Sequence, residues 1–431
     1  MRYNTAVKPP GESAAPPAPA ARSDIVVGLD VGTTKVCAIV GEVVNRRIAL
    51  LGHGVAPCAG LQKGRIVDLP ATISAIRAAI RRAGRAAGVE IATVVASLSG
   101  DHLRGENRSA TVTIESGEIL PADVQAVRTA ARGEVPPDRV LLHHLPRTYR
   151  VDGQAGVRQP VGMAAATLAV ESHLVTGARP VVENLLRALH RSDLEAEEVV
   201  AAAIATAHAV LADVEWLAGT LVADIGGGTT DVAVAWDGSI GHTAVLPVGG
   251  DHVTNDLSIG LRISRSEAEA LKLQRAVART SLVPASDYVT LRAVGDPLPR
   301  EVPRRVVMEI VEPRVREMLE LVRRELEVAA VDGVPVAKSV VLTGGAAQLP
   351  GLVELAREIL GLPVRLGTPR RLPGDWPAAL DQPYYSTAVG LLWYAARRRL
   401  GPEADAAHVA QSPVAQALSR LARWVRERAK S

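Results

Sequence analysis

The chain has 431 residues, with 49 Lys and Arg against 46 Asp and Glu, 48% apolar residues, two cysteines, five Trp, six Tyr and no Phe. This is ordinary globular composition with enough length for roughly two to four domains, which excludes wholesale disorder; Cys37 and Cys58 are too few for a disulfide framework, a zinc cage or a redox pair and read as small buried hydrophobes. The formal charge of +3 is unevenly placed: residues 412–431 hold Arg420, Arg423, Arg426, Arg428 and Lys430 against Glu427, a net +4 that leaves residues 1–411 at −1, and so few aromatics with no basic stripe in the body exclude a base-stacking nucleic-acid module.

Residues 1–23, rich in Pro and Ala without hydrophobic periodicity, are expected to form a disordered arm. They lack the basic-then-apolar pattern of a secretion signal, and no run in the chain approaches the roughly 18 apolar residues of a membrane span, so the expectation is a protein on the cytoplasmic side. Residues 25–30 (IVVGLD) predict a buried strand, Gly32-Thr33-Thr34-Lys35 a turn, and residues 36–44 a returning strand. A helix is predicted over 68–87, with Leu69, Ile73, Ile76 and Ile80 on one face, and a strand over 93–98. Residues 99–176 change texture: short alternating strands at 110–114 and 143–151 flank a helix started by Pro121-Ala122-Asp123, which suggests a compact α+β insertion. Then come a helix (180–190), a strand (197–202), a helix (204–211) and a second strand-turn-strand (220–236). Helices at 267–278 and 304–330 bracket a Pro/Gly-rich strand region, and a last strand at 339–342 leads into Gly344-Gly345 and a helix. Strands alternating with helices give an α/β protein.

The strongest chemical signal is an internal echo. VVGLDVGTTKVCAIV and LVADIGGGTTDVAVA share one grammar: strand, Asp, aliphatic, glycine, Thr-Thr, strand. Glycine lets backbone approach a ligand, and the free amides and Thr hydroxyls can donate to phosphate oxygens. One such hairpin alone reads as a Gly-Thr turn; two, each with Asp before the glycine, point to a phosphate clasp built from Asp30, Gly32, Thr33, Thr34 and Lys35 on one side and Asp224, Gly226, Gly227, Gly228, Thr229, Thr230 and Asp231 on the other. Asp30 and Asp224 end their strands where a carboxylate could hold Mg²⁺ through water, and Asp224 is also the candidate catalytic group. P-loop and Rossmann fingerprints are absent. Gly344, Gly345 and Ala346 in VVLTGGAAQLPGL could admit a flat ligand. Glu269 and Lys272, spaced i, i+3, read on their own as a surface ion pair.

Two phosphate hairpins, a linking helix and a strand-Gly-Gly motif resemble the actin/Hsp70/sugar-kinase superfamily. Within it the chain is similar to the FtsA family of bacterial cell-division ATPases, most specifically over VGLDVGTTKVCAIVGEV, DIGGGTTDVAV, VLTGGAAQLPGL and QPYYSTAVGLL. The resemblance implies an actin-like ATPase fold: two lobes, each with a mixed sheet flanked by helices, around a nucleotide cleft, plus an inserted α+β subdomain of the SHS2 type. It implies subdomain 1A at 24–98, completed by 177–195 and 384–398; 1C at 99–176; 2A at 196–250 and 339–383; 2B at 251–338; a linker at 399–412; and a membrane-targeting helix at 413–431. ATP and Mg²⁺ are the implied cofactors, with Gly344 and Gly345 flanking adenine and Glu269 with Lys272 reaching the ribose. The implied partners are the C-terminal peptide of the tubulin-like FtsZ received by residues 251–338, other copies in a filament, anionic inner-membrane lipid and later division proteins, at the division septum.

Two features qualify that picture. Actin-like hydrolases often place Gln or Glu on the linking helix to orient water; here the stretch is Ala201-Ala202-Ala203-Ile204-Ala205-Thr206, in which Thr206 could hydrogen-bond a water but is a poor base, so ATP binding is a firmer expectation than rapid hydrolysis. Stepping at about 100° per residue, the tail gathers Val414, Leu418, Leu421, Trp424 and Val425 on one arc and Arg420, Arg423 and Arg426 on the other. A helix packed on its own domain or on a partner helix is the bland alternative; the linker before it and the arginines on its polar face favour an in-plane membrane helix. A sugar-type kinase and a pilus-assembly ATPase of the same superfamily are the competing readings.

Overall fold

The computed structural model describes residues 25–44, 47–295, 298–331, 333–369 and 376–400, with side chains to residue 396. The expected N-terminal arm and the amphipathic tail at 413–431 lie outside the described residues. β1 (Ile25–Val31) and β2 (Lys35–Val44) form the first hairpin, followed by β3 (Arg47–Pro57) and the two-residue strands β4 (Leu61–Gln62) and β5 (Arg65–Ile66). α1 (Leu69–Ala87) then begins where Asp68 accepts from the Ala71 amide at 2.9 Å and ends at Gly88 in the left-handed region. Its buried face is Thr72, Ala75, Ile76, Ala79 and Ala83, rotated from the expected isoleucine stripe, of which only Ile76 is fully buried. The reason lies in β3: a Cβ at Gly54 would stand 2.2 Å from the Ala79 carbonyl oxygen, so strand and helix meet backbone to backbone and small residues fill the seam.

β6 (Thr93–Leu98) completes this region before the insert, which comprises β7 (Arg104–Thr113), α2 (Pro121–Arg132), β8 (Arg139–Val151), β9 (Gln154–Val157) and β10 (Thr167–Ala178). They make a four-stranded sheet, β7-β10-β8-β9, with α2 on one face. The insert's strands run longer than the short ones expected, and β10, the longest shared edge in it, was not anticipated. α3 (Arg179–His190), β11 (Glu195–Ala201), α4 (Ala202–Val210) and α5 (Asp213–Ala218) lead to the second hairpin, β12 (Thr220–Ile225) and β13 (Thr230–Trp236), and to β14 (Ser239–Leu246). Next come α6 (Gly250–Leu261), α7 (Arg265–Arg275), the ribbon β15 (Tyr288–Leu291) and β16 (Arg300–Pro303), and the long α8 (Arg304–Val328). β17 (Ser339–Thr343), α9 (Leu352–Leu360), β18 (Val364–Leu366) and α10 (Ser386–Leu400) close the fold.

The two five-stranded sheets repeat one topology. The first runs β11-β6-β1-β2-β3 and the second β18-β17-β12-β13-β14, each with a central antiparallel hairpin flanked by two parallel strands on one side and one antiparallel strand on the other. The echo read from the glycine motifs is therefore an echo of whole lobes. In each, the last strand is followed by a helix, and these two helices, α4 and α10, cross: a Cβ at Gly390 would fall 1.8 Å from the Ala205 carbonyl oxygen. α10 also lies on β1, where a Cβ at Gly28 would be 2.7 Å from the Leu392 amide nitrogen. Each lobe buries its own core, and a third cluster around Ala205, Ala209, Leu391 and Leu392 joins them. Among the described residues no helix is long and apolar enough to cross a membrane.

Candidate functional site

The hairpins that carry the glycine motifs close with the same turn, Gly32 N donating to Lys35 O and Gly226 N to Thr229 O, both at 2.9 Å. They face one another across the lobes. A Cβ at Gly227 would stand 2.3 Å from Thr34 Cγ2, and one at Gly228 2.7 Å from Thr33 Oγ1, so only glycine lets the tips meet. Behind them lies a pocket of about 90 Å³ that includes Asp30, Lys35, Ser99, Asp224, Asp231 and Thr387 in its wall. It adjoins a larger cleft of about 480 Å³ and shares Thr34, Gly226, Gly227, Gly345 and Tyr384 with it. The larger cleft is mostly apolar, lined by Val315, Met318, Leu319 and Leu352, with Glu269 and Lys272 at its side. A narrow polar end and a wide apolar end suit a ligand with phosphates at one end and a flat ring at the other.

Each acid at the polar end is held. Asp30 Oδ1 accepts from Ser97 Oγ at 2.9 Å, and Asp30 Oδ2 lies 3.6 Å from Lys35 Nζ. Asp224 Oδ2 accepts from Thr206 at 2.8 Å and Thr387 at 2.7 Å. Asp231 Oδ2 accepts from Ser99 at 2.8 Å and Thr229 at 3.2 Å, whereas its Oδ1 is buried without a partner. Burial pushes the Asp224 carboxyl up, against the two Thr hydrogen bonds, and burial beside Asp224 pushes Asp231 up to about 8. Burial works against the Lys35 charge, but Asp30 and its other neighbours outweigh it and its pKa is raised. Lys35 also donates to the Tyr384 carbonyl, and its ammonium lies 3.8 Å from the centre of the Tyr384 ring.

The structure gathers into one cleft the residues that the two hairpins and the Gly-Gly motif nominated, except Gly228, which packs against Thr33, and Thr230, which is buried behind the strand and donates to the Val248 carbonyl at 2.8 Å. The Glu269–Lys272 pair is the ion pair its spacing suggested, 2.7 Å apart, and both residues line the larger cleft. Two expectations change. Gly344-Gly345 do not open a helix directly; Gly344, at φ 89°, is outside the α-helical region and starts a 3₁₀ turn over Gly345–Gln348, with α9 beginning later, and it must be glycine because a Cβ there would stand 2.3 Å from Asp224 Oδ1. Thr206, weighed as a water ligand, is engaged with Asp224 and with Thr387 at 3.0 Å. Sequence reasoning missed Ser97, Ser99, Asp251, Tyr384 and Thr387. Only Tyr384 and Thr387 had a signal, inside the QPYYSTAVGLL stretch. Burial pushes the Cys37 thiol up to about 12, in keeping with an inert buried hydrophobe.

Residues 221–390 match the family described as "Cell division protein FtsA", and residues 100–176 match "SHS2 domain inserted in FTSA". The chain is 38% identical over 407 residues to the cell division protein FtsA of Pseudomonas aeruginosa, covering 93% of this chain and 97% of that protein. It is 36% identical over 411 residues to FtsA of Escherichia coli K12, covering 94% and 98%. Among solved structures, a PilM-PilN type IV pilus biogenesis complex aligns at TM-score 0.62 and 18% identity, covering 87% of this chain and 99% of that one. MreB5 of Spiroplasma citri bound to ADP aligns at 0.50 and 16%, covering 86% and 95%. At those identities the structural likenesses speak to the fold, which is actin-like.

Proposed function

This chain belongs to the FtsA cell-division family, and from that premise we propose that it binds ATP between its lobes, polymerises at the inner face of the membrane and anchors the FtsZ ring there for later division proteins. The observation that carries the nucleotide part is the pair of glycine hairpins, tip to tip over an acid- and lysine-lined pocket that opens into the apolar cleft. The phosphates would lie at Gly226, Gly227, Gly228 and the Thr33-Thr34 tip, with Lys35 as a point charge. The wide end of the cleft, beside Gly345, Ala346, Glu269 and Lys272, would take the nucleoside.

Mg²⁺ fits the donor set in its hydrated form. Among the described residues no group of three or more His, Cys, Asp or Glu gathers to grip a metal directly. Asp30, Asp224 and the unpartnered Asp231 Oδ1 are acceptors suited to water on a small hard cation. The ion would neutralise phosphate charge; the chain's own part is to present amides and hold these carboxylates in place. α4 offers no Gln or Glu, which supports slow rather than rapid hydrolysis and disfavours a sugar-type kinase. The FtsZ peptide is assigned to residues 251–338, where Ile259, Val294 and Leu298 are 69%, 74% and 71% exposed. The membrane contact is assigned to the tail helix.

Calorimetric titration of ATP·Mg²⁺ tests the reading. Gly227→Val should abolish binding, because its side chain would occupy the space of Thr34 and wedge the hairpins apart. Wild-type affinity in a variant with a native circular dichroism spectrum would remove the nucleotide site. An FtsZ tail peptide should still bind that variant, since the two sites share no element of the clasp.

A further inference from the structure

The two carboxylate oxygens of Asp224, near the end of β12, have different surroundings. Oδ2 is taken by two hydroxyls, Thr206 on α4 at 2.8 Å and Thr387 on α10 at 2.7 Å, which stand 3.0 Å from each other. Oδ1 lies on the side of Gly344, and Asp224, Gly344 and Thr387 all line the polar pocket. Thr206 does not: it is wholly buried and forms no part of the wall of either end of the cleft. It cannot touch a ligand there, so whatever it does for one it does through the acid. The two hydroxyls have two protons between them, and a carboxylate anion is an acceptor that takes both on one oxygen.

α4 itself gives no reason for a hydroxyl at this position. It is otherwise built of Ala, Ile, His and Val, and a Thr hydroxyl buried among them costs free energy unless it finds an acceptor. A threonine inside a helix commonly returns its hydroxyl to the carbonyl one turn back. Thr72 in α1 does so to Asp68 O at 2.7 Å, and Thr129 in α2 to Gln125 O at 2.9 Å. Thr206 turns to Asp224 instead. The helix crossing makes the meeting possible, since Ala205, next to Thr206, and Gly390, one turn on from Thr387, touch backbone to backbone. The start of α10 is pinned a second time: Ser386 Oγ lies 2.7 Å from Thr343 Oγ1, and Thr343 is the register partner of Asp224 across β12 and β17. Adjacent residues of α10 thus reach adjacent strand ends.

We propose that Thr206 and Thr387 are a positioning pair for Asp224: by occupying Oδ2 they hold Oδ1 toward the pocket as an acceptor for water on the Mg²⁺ that accompanies the nucleotide. The inference rests on the nucleotide reading above and adds to it the residues that set its acid. One donor leaves a carboxylate free to turn about its Cβ–Cγ bond; two, arriving from different helices, fix its plane. Partners of this kind, outside the groups that face the cation, tune metal affinity without touching the metal.

The test titrates ATP into the full chain, once in excess Mg²⁺ and once in EDTA, and the ratio of the two affinities reads the cation's contribution. Thr206→Val keeps the shape of the side chain and removes its hydroxyl, and it should cut this ratio about tenfold. Thr206→Ser should restore the ratio. A packing role would predict the reverse order, because Ser fills the site less well than Val. Thr387→Val should lower the ratio too, and it carries the same prediction should Thr206→Val fail to fold by its melting curve. An undiminished ratio in the folded Val variants, equal loss of affinity with and without Mg²⁺, or failure of Thr206→Ser to restore the ratio would each overturn the proposal. Wild-type protein that binds ATP in neither buffer would remove the nucleotide reading itself, so the two failures are told apart.

Discussion

The carboxyl of Asp231 is buried beside Asp224, and its proton affinity is pushed up to about 8 by that burial and by the neighbouring charge. Its ordinary value when exposed is 3.8, so between about pH 4 and pH 8 the folded protein keeps a proton that the unfolded chain has released. Each step up in pH across that window therefore favours unfolding. Asn has the shape of the protonated acid and no titration, so Asp231→Asn should lose this slope. In nucleotide-free protein the melting temperature of the variant relative to wild type should rise from pH 5 to pH 8; a constant difference would mean that the carboxyl titrates normally. At this scale the clasp was readable because glycine and Asp at fixed offsets act locally. Ser99, which bonds Asp231 from the other lobe, was not: it is an ordinary Ser at a strand end, and its meaning comes from a residue 132 positions away. The sequence marked Thr206 and Thr387 separately but not their meeting: two hydroxyls are brought from separate helices onto one carboxylate oxygen.

Elements with one strong period were legible, and those shaped by close backbone contact were not. β6 matches its expected bounds, and α1 lies within them, shortened only by its Asp68 cap. β3 was missed because Gly52 and Gly54 break its apolar alternation, and those glycines are there to let α1 approach: a Cβ at Gly52 would stand 2.6 Å from the Ala87 amide. α6 was hidden behind Gly249-Gly250, whose second member bonds back to the Gly226 carbonyl at 2.9 Å. α10 conceals its role in the same way, since Gly390 sits mid-helix where propensity alone would favour Ala by about 1 kcal/mol. The crossing with α4 explains the choice. Gly390→Ala should therefore destabilise by about 1–3 kcal/mol or more despite better helix propensity, because the obstacle is the Ala205 backbone and cannot rotate away. Chemical denaturation measures this. A stabilised Gly390→Ala protein would show that the helices are free to separate, which the shared core around them argues against.

At the scale of the molecule, two lobes of one topology meet at a pair of crossed helices and at a pair of glycine tips, with the cleft between. The insert adds a third bridge: His173 on β10 bonds Asn107 at 2.8 Å and reaches Thr243 on β14 of the second lobe at 2.9 Å. On the proposed function, a nucleotide in the cleft would touch both lobes and so bias the surface they present to another copy. That would give a route from nucleotide to membrane that needs no contact between them. About 18 tail residues as a helix span only ~27 Å, and their charge forbids crossing a bilayer. Lying flat, the helix would bury Leu421 and Trp424 while each arginine near anionic lipid adds about 1 kcal/mol. One such helix holds weakly and weakens further as salt screens it. Many helices on one filament raise effective concentration and convert weak contacts into firm attachment. Sedimentation with anionic vesicles should therefore increase with ATP in wild type, and the ATP effect should vanish in Gly227→Val. Replacing Leu421 and Trp424 with Glu should release the protein at either nucleotide state while leaving ATP affinity intact, and co-sedimentation of that double variant at the wild-type level would mean that the tail is not the anchor.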